Sequence, residues 1–214
     1  MRNTLRFILL INISLLMACS SMYYSAMDSV GIPKRDIMVH RVEKAKDSQH
    51  EAKEQILSTM EQFTTLTNFD GGDLEATYKK LNSEYEDSVK KSNEVKKRIA
   101  DIEDVSDALL DEWKNELNEY SSASLKRSSQ KKLQATEKQY HQLIAAMKRA
   151  EAKMDPVLAV FKDQVLYLKH NLNAEAISSL KGELGNIQSD VSTLIASMNK
   201  SISEADAFIK TIES

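Results

Sequence analysis

From Leu74 onward the chain steps between apolar positions by four and three residues in alternation, and no other feature constrains its fold as strongly. Leu74, Tyr78, Leu81, Tyr85, Ser88, Ser92, Val95, Ile99, Ile102, Ser106, Leu109, Trp113, Glu116 and Tyr120 lie on that register, and ten of the fourteen are apolar or aromatic. A strand alternates with period two, so a heptad held this long predicts one continuous helix with a coiled-coil-like seam. At 1.5 Å per residue that helix would run about 70 Å.

A stripe this narrow has to be covered by other helices. The same period recurs in Leu133, Thr136, Tyr140, Leu143, Met147, Ala150, Met154, Val157 and Phe161, and again in Ile177, Leu180, Leu184, Ile187, Val191, Leu194 and Met198. Ile202, Ala205, Ile209 and Ile212 then follow after an extra step of four, which predicts a stutter that locally unwinds the supercoil. Val42, Ala45, Ala52, Ile56, Met60, Phe63 and Leu66 predict a shorter, more polar first helix from about Ile37. Gly31-Ile32-Pro33 precedes it as a turn. Asp70-Gly71-Gly72-Asp73 and Asn171-Leu172-Asn173 are turns ending in N-cap residues, and Tyr120 to Ser124 is a third turn. Pro156 either kinks the third long helix or stands at N1 of a new helix capped by Asp155, and because the heptad runs across it a kink is the expectation. With five glycines, two prolines and no alternating runs, the expected class is all-α. The architecture predicted is an elongated antiparallel three- to four-helix bundle with heptad packing, the first helix adding a fourth member near one end.

The N-terminus is of another kind. Arg2 and Arg6 precede FILLINISLLMA, residues 7–18, which has the length of a signal-peptide core and falls short of a spanning helix. Leu16, Met17, Ala18 and Cys19 resemble a bacterial lipobox, a resemblance that implies cleavage before Cys19 and acylation of its thiol and new amine. Several acyl chains hold a protein durably to a membrane, where one binds reversibly. The expected organisation is a signal peptide at 1–18, a lipidated linker at 19–35 and the bundle at 36–214. Ser20 follows the cysteine, and in Gram-negative lipoproteins a residue other than Asp there implies the outer membrane, with the body facing the periplasm. Cys19 is the one cysteine, so a lipidated chain has no thiol left for disulfides, catalysis or metals.

Charge excludes one class of partner. Without residues 1–18, which carry two basic side chains and no acid, 27 basic and 32 acidic side chains remain. The lysine pairs are interleaved with acids, and Glu86 with Lys90, Asp87 with Lys91 and Glu94 with Arg98 are favourable i,i+4 pairs. Nucleic-acid binding requires an uncompensated basic face, so no such partner is expected. No glycine-rich phosphate loop is present, so no nucleotide is expected either. None of His40, His50, His141 and His170 follows a Glu by three residues, as paired di-iron motifs require, and neither metal nor cofactor is expected.

VLAVFKDQVLYLKHNL, residues 157–172, has more apolar residues than one seam can use. Leu158, Val160, Val165, Leu166 and Tyr167 fall off the heptad and form a candidate interaction face, with coverage by the first helix as the competing account.

YYSAMDSVGIPKRDI at 23–37, FDGGDLEATYKKLNSEYEDS at 69–88 and FKDQVLYLKHNLNAEAISSL at 161–180, together with the lipobox, resemble the DUF2959 family of predicted bacterial lipoproteins. The resemblance covers essentially the whole mature chain and implies no activity, substrate or catalytic residue. The function expected is therefore non-enzymatic: a lipid-anchored helical bundle with a structural or interaction role in the cell envelope, through self-association or an envelope protein partner. A carrier or chaperone for apolar ligands or unfolded clients is the alternative.

Overall fold

The structure is a computed structural model that describes residues 22–213. Leu16, Met17, Ala18 and Cys19 lie outside the described residues. A short helix α1 occupies 22–29, and four long helices follow: α2 (Lys34–Thr67), α3 (Leu74–Glu116), α4 (Ala123–His170) and α5 (Ala174–Glu213). No strand occurs among the described residues.

The helix ends are set by local chemistry. Asp73 Oδ1 accepts the Ala76 amide at 3.0 Å and Asn173 Oδ1 accepts the Ala176 amide at 3.0 Å, so α3 and α5 begin with the side-chain caps expected of them. Ser122 Oγ accepts from the Leu125 amide at 3.4 Å to open α4. At the end of α1 the Ile32 amide donates to the Met27 carbonyl and the Gly31 amide to the Asp28 carbonyl, both at 3.0 Å. That pair of bonds is a Schellman motif, and it puts Gly31 at φ +82°, a conformation other residues adopt at a cost. α4 passes through Pro156 unbroken.

Short turns make consecutive helices antiparallel, and the four long ones close into a ring. α2 packs against α3 and α5, and α4 against α3 and α5. The first helix was expected to add a fourth member near one end. Instead it starts at Lys34 and pairs with α3 from Lys34–Glu112, at 2.6 Å, as far as Thr59–Ser88, at 2.8 Å. Across the core, Phe63 of α2 stacks on Phe161 of α4 with ring centroids 5.0 Å apart. Each fully buried side chain of that kind contributes about 1.5–3 kcal/mol, so the interior seams dominate the stability of the bundle.

Nearly all the core positions follow the heptad, including some occupied by polar residues. In α4, all nine predicted seam residues from Leu133 to Phe161 are buried. In α5 the buried set runs Ile187, Val191, Leu194, Met198, Ser201, Ala205, Phe208 and Ile212 without the predicted stutter. Ser201 and Phe208 hold the register, while Ile202 and Ile209 sit on the flank, half-buried. The α2 seam likewise passes through Gln49 and Thr59, neither of which apolarity could mark.

Of the segment 19–35, expected as a lipidated linker, residues 22–35 are described. Residues 22–29 are helical, and Tyr24 is 2% exposed, as buried as the core of the bundle.

Candidate interaction surfaces

α1 is held to the bundle by a compact polar tether. Arg41 Nη1 of α2 donates to Tyr24 Oη at 2.8 Å and to Asp104 Oδ2 of α3 at 3.1 Å, while the Tyr24 hydroxyl itself donates to Asp104. The Arg41 guanidinium also lies over both rings, 5.5 Å from the Tyr24 centroid and 5.9 Å from that of Tyr23. Burial, and then the hydrogen bond to Asp104, push the Tyr24 hydroxyl well above the usual tyrosine pKa. About two turns away along α2, Lys34 Nζ reaches Asp28 at 2.7 Å and Glu112 at 2.6 Å. Burial opposes the Lys34 charge, yet the two carboxylates raise its pKa. Three elements are thereby joined through two cations.

A second polar knot joins α2 to α3 near their other ends. Thr59 Oγ1 donates to the Glu84 carbonyl at 2.9 Å, and the Glu84 carboxylate accepts from Gln55 Nε2 at 2.7 Å and Ser58 Oγ at 2.8 Å. Both clusters escaped sequence reasoning. Serine and threonine at heptad core positions were the available signal for the second, whereas nothing marked Arg41 as the partner of Tyr24.

The exterior is charged, and many of its charges are paired across helices. Lys91 bonds Glu51 of α2 at 2.6 Å, whereas the sequence paired it with Asp87, which instead accepts from Lys90 at 2.8 Å. Glu94–Arg98 forms as expected at 3.2 Å, and Glu86 accepts from Asn82. Lys46–Asp206, at 3.0 Å, joins α2 to α5, and Lys96–Asp155, at 2.6 Å, joins α3 to α4. Pairs this exposed are screened by water and contribute little stability, so their main effect is on register.

The predicted face on α4 divides. Val165, at 4% exposure, and Leu158, at 8%, are core residues, and Val160 is half-buried against the core. Leu166, at 48%, and Tyr167, at 42%, point outward near the α4–α5 turn. These five residues therefore do not form one surface. A helix within a ring of four has two neighbours as well as the central seam, and this wider demand accounts for Leu158 and Val165.

At the opposite end a groove of about 600 Å³ opens where α2 begins and α5 finishes, lined by Lys34, Leu109, Trp113, Lys132 and Ile212 among others. The first turns of α4 extend beyond that level, steadied by Trp113 Nε1 donating to Ser129 Oγ at 2.8 Å. The four histidines are all exposed, and among the described residues no His, Cys, Asp or Glu cluster is arranged to hold a metal ion. Among those residues, too, no helix is long and apolar enough to cross a membrane.

A family model described as "Protein of unknown function (DUF2959)" matches residues 23–212. No curated protein and no solved structure matches the chain.

Proposed function

Because the chain belongs to the DUF2959 family, whose description defines no activity, we propose a function from its architecture: a lipid-anchored, non-enzymatic structural or interaction element of the cell envelope. Cys19 carries the lipid after cleavage at Ala18, and the bundle faces the periplasm from the outer membrane. One observation carries the reading. The long helices bury their seams against one another, while the outer face is a lattice of paired charges, which suits a body that holds a position or presents a surface. Envelope partners, or a second copy of the chain, are its natural ligands.

The open groove beside Trp113 favours the carrier reading as the second choice, because Leu109 and Ile212 contribute apolar walls. The two are separated by what co-purifies with the full chain from membranes. A single protein at fixed stoichiometry supports the structural reading, and a mixture of lipids or of unfolded clients supports the carrier. The anchor is tested by palmitate labelling: wild type should incorporate the label and fractionate with the outer membrane, and Cys19→Ser should do neither. An unlabelled wild type, or a Cys19→Ser variant that fractionates unchanged, refutes the anchor.

A further inference from the structure

We propose that the end of the bundle bearing α1 is a bilayer-contacting surface that rests in the lipid headgroup region, so that the bundle is docked on the membrane. The proposal deepens the anchored reading above and rests on it.

Nine large apolar side chains are exposed among the described residues, and six lie at this end or on the flank that α1 covers next to it: Met22, Tyr23, Val30, Ile32, Tyr120 and Leu125. Met22 and Val30 are 73% and 69% exposed, far beyond what packing at the edge of a core leaves open. The first four lie on α1 and its turn, and the other two on the α3–α4 turn and the first turn of α4. Asp28–Lys34–Glu112 sets the turn carrying Val30 and Ile32 at this end, near where α3 finishes, whereas Tyr24–Arg41–Asp104 runs α1 back along α2 and α3, so Met22 and Tyr23 lie on the adjoining flank about two turns in.

Charge marks the same surface. Residues 22–33, MYYSAMDSVGIP, contain one charged side chain, and that residue, Asp28, is neutralised by Lys34 at 2.7 Å. Helical spacing sets Met22, Ala26 and Ser29 on the face of α1 opposite buried Tyr24. An uncharged, partly apolar helix face on a bundle that is otherwise charged is the pattern of an interfacial segment, and Tyr23 has the amphipathic ring that such segments favour.

The chain outside the described residues decides the occupant. The apolar run 7–18 ends at Cys19, which leaves residues 19–21 between the anchor and α1. Three residues span at most about 11 Å. The tether of Tyr24 to Arg41 and Asp104 fixes α1 to the body, so an acyl chain at Cys19 brings the flank that carries α1, next to this end, within headgroup reach.

The test uses the full chain in vesicles of phosphatidylethanolamine and phosphatidylglycerol. Cys19 is the native cysteine, and acylation blocks its thiol, so an introduced cysteine is the unique target of a water-soluble maleimide. Val30→Cys should react about tenfold more slowly than Leu166→Cys at the far end, and adding Met22→Glu and Ile32→Glu should bring the two rates together. Equal rates with the palmitate label present overturn the proposal. So does protection of Val30→Cys that is independent of vesicles and rises with protein concentration, because the surface then meets a second copy. If Cys19 carries no palmitate and reacts itself, the anchor has failed separately. Flotation of the full chain with the same vesicles then decides: binding lost in Met22→Glu/Ile32→Glu supports the surface, and absent or unchanged binding overturns it.

Discussion

Gln49 shows most sharply how a polar side chain can occupy a core position without being paired for it. It is completely buried in the α2 seam, and neither atom of its amide has a hydrogen-bond partner among the described residues. Lys46–Asp206 and Lys91–Glu51 set it near the levels of Ser201 and Ser92, whose hydroxyls are also buried without a partner. An unmet amide costs about 1–3 kcal/mol of desolvation, while an apolar side chain of similar size gains from the same site. Gln49→Leu should therefore raise the urea midpoint, by about 1–3 kcal/mol in unfolding free energy with the slope unchanged. A lowered midpoint would instead reveal a polar occupant sharing that layer. One buried polar side chain can also fix the alignment of a coiled coil, so the same variant should be checked for loss of a single helix register by amide exchange.

Elements were the most legible level of the sequence, and the reason is geometric. A narrow seam repeats every 3.5 residues whatever fills it, so the α4 seam from Leu133 to Phe161 could be read residue by residue, and the caps Asp73 and Asn173 announced their turns. Where reading by apolarity failed, a polar or small residue held the register. Ser201 diverted the α5 seam onto Ile202, and Thr59 was passed over for Met60. The α4 face divides between core and surface for a different reason, since periodicity gives direction around one helix but not the number of neighbours that cover it. The separation of those residues can be measured. Val165→Glu should cost several kcal/mol, because a charge would enter the core unpaired, whereas Leu166→Glu and Tyr167→Glu should melt within about 0.5 kcal/mol of wild type. Equal losses at 165 and 166 would show that the outer face of α4 is covered in the assembled protein.

At the scale of the whole molecule, α4 alone spans about 70 Å and the ring of four helices is about 20 Å across. A rod of those proportions has a radius of gyration of about 21 Å, against about 16 Å for a globule of the same length, so small-angle scattering of the monomer should fall near the larger value. A markedly greater radius with doubled mass would indicate end-to-end or side-by-side pairing. The ring has a further consequence for the order in which the chain can become native. α2 and α5 are neighbours although they are first and last among the long helices, so their contact spans nearly the whole sequence. Hairpins of adjacent helices close short loops and form early, but the contact between first and last has the longest loop to close. A chain emerging from its N-terminus has α2 and α4 each waiting with a bare apolar flank until the forty residues of α5 arrive. Closure of the ring is thus timed by the delivery of α5.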